Sequence, residues 1–153
     1  MFTITRMMGA LSVLCALLML SGCLEKEKGV GKYGMMDENT PEYTALRFAQ
    51  SIYDDPDITV ALTLSTDRMQ RILQNYRTNR NVQRHVMNLK YDSVEIKPDG
   101  GNKIGRTQFS ESSTITLFFT GTYNDDKIED LRALELVRED GQWRVDRVTS
   151  QYM

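Results

Sequence analysis

Hydrophobic positions change their spacing twice along this chain. From Met7 to Leu20 they are almost unbroken, with only Ser12 interrupting the run. Between Pro41 and Leu89 they recur every three or four residues, and from Tyr91 onward they alternate with polar ones. The first pattern predicts an apolar leader, the second amphipathic helices and the third β-strands.

The helical part opens at Asn39-Thr40-Pro41-Glu42. Asn39 or Thr40 can cap, Pro41 suits the first turn, and Glu42 faces the positive end of the helix dipole. Ala45, Leu46, Ala49, Ile52 and Tyr53 then share one face. Asp54-Asp55-Pro56-Asp57 stops this helix and starts a short one through Ile58–Leu64. Three aspartates invite a cation, but the run lacks the spacing of a calcium loop, so a turn and cap is expected there. Ser65-Thr66-Asp67 caps a third helix with Met69, Ile72, Leu73 and Tyr76 on its inner stripe, and Asn79-Arg80-Asn81 interrupts it. Val82, Val86 and Leu89 form a fourth apolar line. The only histidine, His85, borders that line and reads as a core-edge side chain.

In the alternating part, Val94 and Ile96 mark a first strand, ended by the turn Pro98-Asp99-Gly100-Gly101. A weaker strand is expected around Ile104–Ser110, and the clearest one is Thr114–Tyr123. Asp140-Gly141 predicts a hairpin between Leu131–Arg138 and Trp143–Val148. That turn sets Leu136 opposite Val145 and Arg138 opposite Trp143. A turn at Asp125-Asp126 sets Leu117 opposite Leu134 and Ile115 opposite Leu136. Both registers collect Ile115, Leu117, Phe119, Leu134, Leu136, Trp143 and Val145 on one face, and a one-residue slip in either would scatter them.

Helices followed by antiparallel strands predict an α+β domain, with the helices packed on one face of a curved sheet. With Pro41–Asp54 as first helix and Leu134–Val145 as closing hairpin, residues 40–150 resemble the nuclear transport factor 2-like (cystatin-like) superfamily. That resemblance implies a cone-shaped sheet around a long N-terminal helix, with a pocket inside. Enzymes of that superfamily use an acidic base and a tyrosine, but no motif here maps them residue by residue.

The leader carries chemistry of its own. Met1–Arg6 bears one positive charge and no acid, and Ser21 and Gly22 supply small residues for a peptidase. The fourteen residues Met7–Leu20 fall short of the ~20 that a spanning helix needs. Leu20-Ser21-Gly22-Cys23 resembles the lipobox of bacterial lipoproteins at every position. The resemblance implies that Cys23 receives a diacylglycerol through its sulfur, becomes the new N-terminus and is N-acylated with a further chain such as palmitate. Several acyl chains, each methylene contributing ~0.8 kcal/mol, hold a protein at a membrane stably. Leu24 stands where an Asp would favour inner-membrane retention in enterobacterial lipoproteins, so the expected location is the outer membrane, facing the periplasm.

Composition then narrows the picture. Removing residues 1–22 from the 153 leaves 131, enough for one domain with a core. The removed part contains Arg6 alone among charges, so 18 basic residues face 21 acidic ones, a balance of −3 that gives no basis for nucleic-acid binding. Cys15 leaves with the signal and Cys23 is lipidated, so no thiol is left for a disulfide. Cys23 to Asn39, with Gly29, Gly31 and Gly34 and no periodicity, reads as a flexible linker reaching roughly 20–25 Å. The domain proper is expected from residue 40 to 153.

On the sequence register, Tyr123, Asp130, Arg132 and Arg147 share the inner sheet face where apolar residues run out. Two arginine forks near a phenol and a carboxylate suit a small anionic ligand. Glu135 and Asp146 face each other on the opposite side. No Gly-rich phosphate loop, Cys/His metal set or nucleophilic triad is present, so no cofactor or metal is expected. Six basic residues between Arg68 and Lys90 meet only Asp67, which reads as a solvated face or as a contact with anionic lipid or an acidic partner. The expected function is an envelope lipoprotein that binds a protein partner or small ligand without catalysis. The alternatives are a pocket enzyme of the isomerase or hydratase kind, and an assembly module that pairs copies through the outer face bearing Thr114, Thr116, Phe118 and Val137.

Overall fold

A computed structural model of the protein describes residues 37–99 and 110–151. The leader, the lipobox, most of the linker and the expected strand up to Phe109 lie outside the described residues. The fold is α+β, with helices packed against one face of an open, curved, four-stranded antiparallel sheet.

Helix α1 runs Pro41–Asp54. Thr40 caps it by accepting from the Tyr43 amide, Pro41 occupies the first turn, and the cap turn already begins at Asp37, whose carbonyl accepts from the Thr40 hydroxyl. Its inner face buries Ala45, Leu46, Phe48, Ala49 and Ile52. The Asp-Pro turn is a cap and a clasp. Asp55 pairs with Arg47 at 2.9 Å, and Asp57 accepts from the Thr59 amide that opens α2, Thr59–Thr63. The Asn79 side-chain amide donates to the carbonyls of Ser51, Asp55 and Asp57, and Gln83 donates to that of Ile52. Those amides satisfy the carbonyls that the end of α1 leaves open.

Helix α3, Asp67–Tyr76, is capped by Thr66 and buries Met69 and Leu73. The chain breaks at Arg77, at φ 66°, and not at Asn79–Asn81, where a fresh cap on Thr78 starts α4, Asn79–Val82. A π-helical turn, Gln83–Met87, follows and ends on Asn88 in the left-handed region. The wider turn brings Val82 and Met87, five residues apart, into the core together and leaves Val86 only partly buried. His85 stays exposed and stacks on Tyr76, with ring centroids 5.0 Å apart.

The strands are β1 Ser93–Pro98, β2 Ser112–Tyr123, β3 Asp126–Glu139 and β4 Gln142–Gln151, each beside the one before it. The β3–β4 hairpin turns at Asp140-Gly141, both at positive φ, and sets Leu136 opposite Val145. The β2–β3 turn falls on Asn124-Asp125, one residue earlier than expected, because these two residues supply the positive φ values that a type I′ turn requires. The register therefore moves by two, with Ile115 opposite Leu134 and Leu117 opposite Arg132. An even shift leaves every side chain on its face, so the apolar surface survives the correction.

A second departure does change faces. Between Leu136 and Glu135 the partner on β4 jumps from Val145 to Arg147, leaving Asp146 as a bulge residue. Glu135 thus faces Arg147 and not Asp146. The Asp146 carboxylate instead accepts from the Thr66 hydroxyl at 2.9 Å and from Arg68 at 2.8 Å. Beside it, Leu64–Thr66 runs along the β4 edge, exchanging two backbone hydrogen bonds with Val145.

Gly121 stands where the sheet has no room for a side chain. The Tyr91 ring lies over it, and a Cβ there would stand 2.6 Å from that ring and inside the Ser93 carbonyl. Tyr91 stacks on Phe119 and meets Tyr53 edge-on, closing the β1 end of the core.

Candidate functional site

The four residues expected to share a pocket do not share one. Asp130 and Arg132, two apart on β3, lie on the inner face and pair at 2.9 Å. Tyr123 sits at the last position of β2 beneath the Lys90 ammonium, 5.5 Å from its ring centre. Arg147 is on the outer face, because the bulge at Asp146 reverses the alternation, and there it stands 3.7 Å from Glu135.

Arg132 is the informative member. Its side chain is 3% exposed, although arginine is almost never buried without partners. Nε donates to the Met87 carbonyl at 2.6 Å, Nη2 to that of Asn88 at 3.1 Å, and Nη1 to Leu131 and Asp130. A guanidinium has five N–H donors, and these contacts leave at most one for a ligand. The cation sits at the end of the π turn, where the helix dipole is negative. Arg132 therefore bolts the helical layer to the sheet, and an anion fork built on it is not available.

Around this bolt lie two tyrosines that the periodicity did not mark as chemical. The Tyr53 hydroxyl donates to the Leu89 carbonyl at 3.0 Å. The Tyr91 hydroxyl is buried with no hydrogen-bond partner. Burial raises the pKa of both phenols. For Tyr53 the neighbouring Tyr91 adds to the rise and Arg132 opposes it. Tyr91 is pushed up to about 12, first by burial and then by the Asp130 charge, with Arg132 again opposing. Both are protonated in the folded state at a pH where the unfolded chain, titrating near 10.0, has begun to ionise. The stability they contribute is whole below pH 10 and falls as pH rises above it, with the Tyr91 share lost as pH passes about 12. Tyr91→Phe removes an unsatisfied hydroxyl, so urea unfolding at pH 7 should show a gain of about 1 kcal/mol. The same variant should retain a larger fraction folded at pH 11, followed by circular dichroism. A loss at pH 7 would mean the hydroxyl has a partner.

Two recesses on the described surface are candidates for a binding site. A cleft of about 410 Å³ lies between the start of α1 (Glu38, Asn39, Tyr43 and Thr44), the end of α2 (Thr63 and Leu64) and the β3–β4 turn with Gln142, Trp143 and Arg144. Its volume is within the range of small-ligand sites. Arg144 forms part of its wall, donating to the Thr63 carbonyl and to the Gln142 side chain. The Tyr43 phenol on the opposite wall is held above its ordinary pKa, mainly by burial and then by Glu38. The second recess, about 320 Å³, is lined by Ser112–Thr114, Glu135–Val137 and Asp146. None of Tyr123, Asp130, Arg132 or Arg147 lines either recess. Of the outer-face residues, Thr114 is exposed, Phe118 and Val137 are half-buried and Thr116 is buried.

Among the described residues no group of three or more His, Cys, Asp or Glu side chains is placed to hold a metal ion. Compared with known proteins, the sequence matches no family model and no curated protein.

Proposed function

We propose that this chain is a bacterial envelope lipoprotein: acylated at Cys23, tethered by residues 24–39, and presenting a compact α+β module that binds a partner or small ligand without catalysing a reaction. The observation that carries this reading is Leu20-Ser21-Gly22-Cys23 directly behind an apolar run of lipoprotein-leader length. One further point supports it: the domain core, from Ala45 to Val145, packs without a thiol, as a chain whose only mature cysteine is acylated must. The polar cleft beside Tyr43 and Arg144 is the binding site we favour, because it opens next to Glu38 and Asn39, where the linker joins the domain. The outer membrane is the location favoured by Leu24.

Cys23→Ser tests the anchor directly. Incorporation of labelled palmitate should vanish, the leader should remain uncleaved, and the thermal transition of the domain should be unchanged. Retained labelling or normal trimming would overturn the reading.

A further inference from the structure

The outward surface of α3, α4 and the π turn carries more positive charge than its one acid, Asp67 in the first turn of α3, can balance. Arg71, Arg77, Arg80 and Arg84 are exposed, and among the described residues their guanidiniums hold no ion pair or hydrogen bond. They come from consecutive helical elements. Arg71 and Arg77 lie on and just beyond α3, Arg80 and Arg84 lie one turn apart on the next helix, and the Tyr76–His85 stack joins the two helices. Other cations of this domain are tied: Arg47 to Asp55, Arg68 to Asp146, Arg132 to Asp130. The whole chain has a formal net charge of −2, so a cluster of unanswered cations is local and does not reflect the average. Like charges so placed repel unless an anionic surface neutralises them, and guanidinium forks fit phosphate oxygens.

We infer that this helical surface docks on anionic phospholipid headgroups, holding the module in a fixed orientation on the bilayer. The inference rests on the anchored reading above, since a tether of a few tens of ångströms keeps the surface within reach of headgroups. A nucleic-acid partner is not favoured for an exported chain. An acidic protein would use the same charges but would not respond to lipid composition.

The test is phenylglyoxal footprinting of the full-length protein in nanodiscs of phosphatidylcholine alone or mixed with phosphatidylglycerol, read arginine by arginine by mass spectrometry. Arg71, Arg77, Arg80 and Arg84 should react several-fold more slowly on the anionic discs, while Arg147, on the sheet face away from the helices, should be unaffected. The difference should disappear in ~1 M salt, where the screening length falls to about 3 Å. An Arg71→Gln/Arg84→Gln chain should lose most of the protection at Arg77 and Arg80. Equal reactivity on the two lipid compositions overturns the inference. The same spectra report whether Cys23 carries lipid, so failure of the anchor is read separately from failure of docking.

Discussion

Arg132→Met is expected to destabilise the domain by roughly 3–5 kcal/mol, the range for removing one partner of a buried ion pair. The side chain is nearly as long as the one it replaces, so the loss is not one of volume. It comes from the carbonyls of Met87 and Asn88, left without donors at the end of the π turn, and from Asp130, left without its cation. Domain stabilities lie around 5–15 kcal/mol, so a loss of this size leaves the protein marginal. Arg132→Lys should recover little, because one ammonium cannot reach the Met87, Asn88 and Leu131 carbonyls and the Asp130 carboxylate at once. Arg147→Met, half-exposed on the other face, should stay within about 0.5 kcal/mol of wild type. Urea unfolding followed by circular dichroism separates the two arginines. Equal effects would mean that Arg132 is not the bolt described above.

Gly121→Ala should cost about 3 kcal/mol, although alanine is normally no worse than glycine in a strand. The new methyl would lie 2.6 Å from the Tyr91 ring and overlap the Ser93 carbonyl across the β1–β2 ladder. A ring can turn aside, but a paired backbone carbonyl cannot. Combining Gly121→Ala with Tyr91→Leu should therefore restore only part of the stability. Full restoration, measured as the urea midpoint, would place the whole conflict at the ring.

The layout of the fold was open to reading from residue types. Thr40-Pro41 starts α1 through local chemistry, Thr66 caps α3, and Asp140-Gly141 fixes a hairpin, so α1, α3 and β3–β4 need no tertiary information. The β2–β3 turn falls one residue before the expected position because Asn124-Asp125 and Asp125-Asp126 look alike as turn formers, and only the requirement for two positive φ values separates them. The bulge at Asp146 was invisible, since it is set by what Asp146 reaches, Thr66 and Arg68, about eighty positions away. That single insertion moved Arg147 to the other face and dissolved the proposed four-residue pocket. The π turn was hidden for a similar reason: Val82, Val86 and Leu89 fit an ordinary helix as well as the wider one. Two signals stand in the residue types themselves. An arginine at an inward position of an otherwise apolar strand, as at Arg132, points to a buried cation with carbonyl partners. A glycine inside an alternating run, as at Gly121, points to close packing. The cleft beside Tyr43 joins residues from three separate stretches, and nothing local announces it.

The meander order of the strands has a kinetic side. Among the described residues each strand meets only its sequence neighbours in the sheet, and two of the three connections close over local turns of two residues. Short hairpins of this kind zip within about 1–10 μs. A polypeptide delivered end-first through a narrow pore could thus add one strand at a time to a growing ladder. No late partner from the far end of the chain has to be awaited, apart from β4, whose arrival seats Trp143 against the helices and completes the core.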